Sequence, residues 1–141
     1  MADILSAAAR SALMRRIRGK DTRPEFVVRR LVHGMGYRYR LHQRGLPGTP
    51  DLVFAPRRKV IFVHGCFWHW HPDPGCRIAG LPKSRLEYWA PKLAANRARD
   101  AATQGMLREA GWRVLVIWEC KMAKRDWPAL REALRSFLEA P

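Results

Sequence analysis

Twelve residues, Val60 to His71 (VIFVHGCFWHWH), constrain this chain more than any other stretch. Val60, Ile61, Phe62 and Val63 form a short β-branched and aromatic run, long enough for a buried strand and too short for a buried helix. Within two residues the character changes. His64, Gly65 and Cys66 end the strand, and Phe67, Trp68, His69, Trp70 and His71 follow. A hydrophobic core has no use for three imidazoles and a thiol packed among large aromatics. His and Cys are the usual borderline and soft metal ligands, and Phe and Trp are flat surfaces on which bases can stack.

The cysteine count points the same way. Cys66, Cys76 and Cys120 are the only three in the chain, an odd number that does not suggest a disulfide framework. Three thiols and one imidazole make a Cys3His zinc set. Cys66, His71 and Cys76 are spaced C-x4-H-x4-C, unlike a standard zinc finger, with Cys120 as a distant fourth ligand.

Composition narrows the partner. With 141 residues the chain suits a single core. Lys and Arg number 27 against 12 acids, a net charge of +15, which is the electrostatic footprint of a polyanion binder. No polybasic amphipathic helix or lipidation motif favours a membrane surface instead. No apolar h-region opens the chain, and no apolar run approaches the roughly 20 residues of a membrane helix. The cell interior is the expected location.

Residues 1–20 carry Arg10, Arg15, Arg16, Arg18 and Lys20 among helix-favouring residues such as Ala12, Leu13 and Met14. They read both as a frayed basic tail and as an arm that orders on a phosphate backbone. The remaining residues, 21–141, read as one domain. Thr22 and Glu25 form a capping box with Pro24 in the first turn, so Glu25 is a cap, a site residue, or both. Gly34 and Gly36 stop that helix. Tyr37 to Leu41 alternates like a half-buried strand. Arg44 to Pro50 (RGLPGTP) is a turn, and a second strand begins at Asp51. Pro56 to Lys59 reads as a tight basic turn, after which Val60 to Val63 returns antiparallel. Asp51 and His64 then meet at one sheet edge, a carboxylate and an imidazole placed as a hydrolytic magnesium site requires.

A long helix is expected over Glu87–Ala110, with Leu86 leading in, Pro91 in its first turns and Gly111 at its C-cap. Lys92 and Asn96 are four apart and share a face, a solvated surface or a base-contacting one. A strand over Trp112–Trp118 follows, ending at Glu119 and Cys120 near His64 to His71. A last helix starts at Asp126 or Trp127, with Leu130, Leu134, Phe137 and Leu138 as its apolar stripe.

Pro50-Asp51, His64-Gly65-Cys66-Phe67-Trp68-His69, Glu87-Tyr88-Trp89, Lys92, Asn96 and the run Gly111 to Cys120 together resemble the very short patch repair (Vsr) T:G mismatch endonucleases. The likeness runs from about Ser11 into the last helix. It implies an α/β, restriction-endonuclease-like fold of the PD-(D/E)xK type. A central mixed sheet would be flanked by helices, with a structural zinc site and the usual Glu-x-Lys pair replaced. It implies a Mg2+-dependent endonuclease that nicks DNA 5′ to the T of a T:G mismatch, as in repair of deaminated 5-methylcytosine. Asp51 would be the magnesium ligand, helped by the backbone carbonyl of Val63. His64 and His69 would be catalytic, and Glu25 would hold a water beside the magnesium. Cys66, His71, Cys76 and Cys120 would bind structural Zn2+.

By the same likeness Phe67, Trp68 and Trp89 would wedge into the stack, Lys92 and Asn96 would read the wobble pair, and Met14 and Arg15 in the arm would touch DNA. The implied setting is a monomer in a bacterial cytoplasm, at the nucleoid, on double-stranded DNA carrying a T:G mismatch, with mismatch-repair proteins as candidate partners. Two departures stand out: Val63 where the family pattern has Thr, and a longer loop, Pro72 to Gly75, before Cys76. The residues alone leave two alternatives open, a nuclease of the same fold with another DNA target and a non-catalytic zinc-stabilised DNA-binding module.

Overall fold

The computed structural model describes residues 21–141; the basic arm, with Met14 and Arg15, lies outside the described residues. Helix α1 (Arg23–Gly34) opens as its sequence dictates. Thr22 Oγ1 accepts from the Glu25 N–H, and the Glu25 side chain returns to the Thr22 N–H at 3.2 Å. Its exit is a Schellman motif: the Tyr37 N–H reaches Val32 O, the Gly36 N–H reaches His33 O, and Gly36 supplies the φ of +97° that the motif needs. This exit consumes Tyr37, so the strand expected over Tyr37–Leu41 shrinks to β1 (Arg40–Leu41).

Strand β2 (Leu52–Phe54) starts one residue later than expected, since Asp51 turns its side chain across the sheet. Strand β3 (Lys59–His64) pairs antiparallel with β2, Leu52 opposite Ile61 and Val53 opposite Val60. Lys59 is not a turn residue. It is buried in β3, and its ammonium donates to the Leu138 and Ala140 carbonyls, closing the last helix. Helix α2 (Leu86–Glu109) crosses over to β4 (Arg113–Trp118), which lies parallel to β3 with His64 opposite Trp118. Gly111, at φ +91°, is the residue after the cap, in a second Schellman motif with the Trp112 N–H on Leu107 O. Helix α3 (Trp127–Glu139) completes the described chain.

The sheet order is β1-β2-β3-β4, antiparallel until the last pair. Period-two alternation assigns its two faces. Leu52, Phe54, Ile61, Val63 and Ile117 pack with Val28, Leu31 and Val32 of α1 and Leu130, Leu134 and Leu138 of α3. Val53, Val60 and Phe62 pack on the other face with Leu107 of α2, beside Val114 and Val116. Covered on both faces, β3 is buried along all six residues. Its C-terminal end therefore has a fixed position, and the polar cluster begins there. No helix among the described residues is long and apolar enough to cross a membrane.

Candidate active site and metal centre

A cleft of about 550 Å³ opens where β2 begins and β3 ends, walled by Asp51, Val63, His64, His42, His69 and Asp100. Arg44 and Arg99 add positive charge to its lining. One wall depends on Gly48. At φ +74° it sits so close to α2 that a Cβ would lie 2.3 Å from Thr103 Cγ2, so only glycine lets the 44–50 turn press against the helix.

Asp51 and His64 share this cleft, as the antiparallel hairpin requires. Asp51 Oδ2 accepts the Val63 N–H at 2.7 Å. Burial pushes the Asp51 carboxyl up to about 7; the Val63 N–H opposes that, and the nearby Glu25 adds to it. The Val63 side chain packs in the core. His64 is buried and stacked on His69, centroids 3.8 Å apart and planes 5° apart. Burial, with His69 beside it, lowers His64 to about 3, so its ring stays neutral at working pH. Its Nδ1 is buried and has no hydrogen-bond partner among the described residues.

His69 differs from His64. Its Nδ1 lies 2.6 Å from Asp100 Oδ2. A carboxylate only accepts, so Nδ1 carries the hydrogen that Asp100 takes, and in the neutral ring Nε2 is the nitrogen with the lone pair. Asp100 continues the helical series Lys92, Asn96, Asp100, each four residues on. Following that series one step further would have found it.

Glu25 is a cap, and its carboxylate also reaches His42 in the cleft wall. Oε2 takes the Thr22 N–H and hydroxyl, while Oε1 takes Arg29 at 3.1 Å and His42 at 2.8 Å. His42 also stands 3.8 Å from Asp51 Oδ1. The β1–β2 register would have pointed to His42: Leu41 faces Leu52, and the next pair brings the His42 N–H to Asp51 O at 3.3 Å.

On the far side of the same segment, the ligand atoms of Cys66, His71, Cys76 and Cys120 all lie within 4.8 Å of one another. Cys120 Sγ is 3.6 Å from His71 Nδ1, and His71 stacks on Trp118 at 4.0 Å. The long 72–75 loop folds back through Asp73, which accepts the Gly75 N–H with its side chain and the Cys76 N–H with its carbonyl, and this returns Cys76 to the group. Burial holds the Cys66 and Cys120 thiols up, whereas at Cys76 burial is outweighed by the Ile78 and Ala79 N–H groups and the neighbouring thiols, which lower it. Three sulfurs and one imidazole fit tetrahedral zinc.

Between the two clusters, Trp70 adopts a left-handed backbone, φ +45°. Arg97 steadies it, with Nε and Nη2 donating to the Trp70 carbonyl and the guanidinium 4.2 Å over the ring. The expected wedge residues cluster edge to face: Phe67 to Trp68 at 5.2 Å and Phe67 to Trp89 at 5.3 Å. Trp89 is buried as their floor, while Phe67 and Trp68 are half-buried. Lys92 lies over Tyr88, Trp89 and Trp68 at 5.4 to 6.0 Å. The Asn96 amide donates to the Trp68 carbonyl at 3.0 Å, so it holds the loop that carries the aromatics.

Comparisons with known proteins identify the chain's relatives. Residues 2–73 match the family model for the DNA mismatch endonuclease Vsr. The chain is similar to the type II nicking enzyme V.XorIIP of Xanthomonas oryzae pv. oryzae (strain KACC10331 / KXO85), 55% identical over 139 residues, spanning 99% of this chain and 98% of the relative. It is 42% identical over 139 residues to the DNA mismatch endonuclease Vsr of Escherichia coli (strain K12), spanning 99% and 86%. It is 36% identical over 125 residues to the type II nicking enzyme V.NmeAIP of Neisseria meningitidis serogroup A / serotype 4A (strain DSM 15465 / Z2491), spanning 89% and 87%.

Proposed function

This chain belongs to the DNA mismatch endonuclease Vsr family, and on that footing we propose that it nicks duplex DNA 5′ to the T of a T:G mismatch, using the cleft around Asp51. The His69–Asp100 pair at the mouth of that cleft is the observation that carries the reading. Asp100 fixes the His69 tautomer and orientation, leaving Nε2 to take a proton from water attacking phosphorus. His64, neutral and stacked beneath, holds the His69 ring in place. Arg44 and Arg99 draw the phosphate in.

Asp51, an oxygen donor in an open cleft, fits magnesium, with the Val63 carbonyl as a second ligand. Magnesium held there would supply charge neutralisation at the phosphate and the leaving oxygen. Because the second ligand is a backbone oxygen, valine at position 63 is compatible with the site. Zinc held by Cys66, His71, Cys76 and Cys120 would tie the aromatic loop to the end of β4.

Phe67 and Trp68 wedge into the stack on the floor given by Trp89. Unstacking costs a few kcal/mol and less at a mispaired step, so the wedge favours a mismatch. Lys92 and Asn96 lie beside that wedge, where the wobble pair would be read. Residues 1–20 serve as a basic arm on the phosphate backbone, with Met14 and Arg15 at the DNA, ahead of one restriction-endonuclease-like domain over 21–141. The protein acts as a monomer in a bacterial cytoplasm, where repair proteins take over the nick.

The test is to incubate protein and Mg2+ with two labelled duplexes, one with a T:G pair in a CTWGG-like context and one fully paired. The reading predicts a single nick, 5′ to the T, in the first duplex only. Equal cutting of both keeps the nuclease and discards the specificity; tight, salt-sensitive binding without cutting discards both.

A further inference from the structure

We propose that His42 is a positioning residue of the nuclease site, whose ring sets the Asp51 and Glu25 carboxylates in their working orientation. The inference rests on the reading of Asp51 as the centre of the cleft. It starts from the backbone. His42 is a non-glycine residue at φ +45°, a conformation that L residues avoid and that persists where the surroundings impose it, often at functional sites. Here the imposition is visible. The His42 N–H extends the β1–β2 ladder to Asp51 O, and the ring then turns inward to the cleft.

The ring lies between two acids. Its Nε2 is 2.8 Å from Glu25 Oε1 and 3.8 Å from Asp51 Oδ1. Glu25 does not need His42 to be satisfied, since Thr22 and Arg29 already donate to it. Asp51 has fewer partners. Its Oδ2 is pinned by the Val63 N–H, and Oδ1 faces His42. Of the groups that donate to Glu25, His42 alone among the described residues also borders Asp51 and lines the cleft. Carboxylates this close repel; the His42 Nε2–H bonds Glu25 Oε1 at 2.8 Å, and the same polar edge faces Asp51 Oδ1 at 3.8 Å, close enough to attract that oxygen electrostatically without a hydrogen bond. A free Asp51 carboxylate would rotate about its Oδ2 contact and present Oδ1 less often to a cation and phosphate in the cleft.

Asp21, Glu25 and His42 also lie close enough to suggest a separate metal site. Arg29 excludes it, because its guanidinium already occupies that place, bonded to Asp21 at 2.8 Å and to Glu25. His42 therefore serves the Asp51 cleft.

Two variants separate donor from ring: His42→Phe keeps an aromatic ring without the N–H, and His42→Gln keeps an N–H donor without the ring. Single-turnover nicking would be followed as a function of Mg2+, beside calorimetric titration of Mn2+ into the protein bound to an uncleavable duplex. Placement errors of about 1 Å cost on the order of a hundredfold. His42→Phe should thus nick roughly ten- to a hundredfold slower, need more Mg2+ for half-maximal rate and bind Mn2+ more weakly, with DNA affinity unchanged. His42→Gln should recover most of each.

His42→Phe with wild-type metal dependence and Mn2+ affinity would overturn the inference. So would a loss in both variants that merely tracks their melting temperatures. If the wild-type protein itself leaves the T:G duplex uncut, the Asp51 reading fails, and the two failures are distinct.

Discussion

His69 and His71 are two residues apart and serve opposite kinds of site. His69 enters a cleft open to solvent, lined by carboxylates and arginines. His71 enters a closed group of three sulfurs, where all four donors face one another. In an ordinary strand both rings would point to the same face. The left-handed turn at Trp70, braced by Arg97, sends them apart. An open site with oxygen donors suits chemistry on a passing phosphate, whereas a complete four-donor site suits holding a fold together. One twelve-residue stretch thus carries the proposed reacting groups and the device that fixes them.

The comparison breaks first at the closed site. If zinc holds the closed site as proposed, Cys66→Ser or a chelator should cost several kcal/mol and expose Trp68 and Trp70 further to solvent, seen as a large fall in melting temperature and a red-shifted emission. Variants in the open cleft should leave melting nearly unchanged. If Cys66→Ser melts like the wild type, the cluster is not the staple described.

A smaller effect, on rate alone, is expected from Asp100→Asn. Without the carboxylate the His69 tautomer is no longer fixed, and nicking should fall roughly 10²- to 10⁴-fold at unchanged DNA affinity. A loss under threefold would remove Asp100 from the proposed mechanism.

The smallest effect is a pH dependence. Asp51 is held up near 7 by burial, and only its ionised form can hold a cation. At limiting Mg2+ the rate should climb about tenfold per pH unit below 7 and level above it. Saturating Mg2+ should move the bend to lower pH, because the cation favours the ionised form. For stability the sign runs the other way: the folded state holds a proton on Asp51 that the unfolded chain releases from about pH 4 upward, so this group's contribution falls as pH rises toward 7. A rate profile that is flat from pH 5 to 8 at limiting Mg2+ contradicts the assignment.

Much of this was legible in the residues. Thr22-x-x-Glu25, the Gly34 and Gly36 stop and the β2–β3 hairpin follow from local chemistry and short-range pairing, and the strand after the long helix is expected to end near His64 to His71, as β4 does. That Cys66, Cys76 and Cys120 gather follows from a cysteine count with no spare member, and His71 from its place midway between the first two. What escaped depends on packing. Lys59 looked like a surface turn because its role, closing α3 nearly 80 residues later, is visible only once the sheet and helix meet. Asp100 carried no local motif, and its meaning came from α2 lying across the loop that bears His69. His42 sat in a polar stretch, and only the β1–β2 register turns it toward Asp51. The burial of Trp89, one of the expected wedge residues, likewise comes from packing, since Tyr88, Phe67 and Trp68 surround it.

The central claim is that the phosphodiester is cut in the cleft at Asp51, and Asp51→Asn tests it most directly, since it keeps the shape and removes only the charge. Wild type and variant would be compared on one T:G duplex, measuring binding by anisotropy and nicking by single-turnover kinetics in Mg2+. The account predicts affinity within about threefold and a nicking rate lower by at least about three orders of magnitude. A variant that binds and still nicks at the wild-type rate would place the chemistry elsewhere in the molecule.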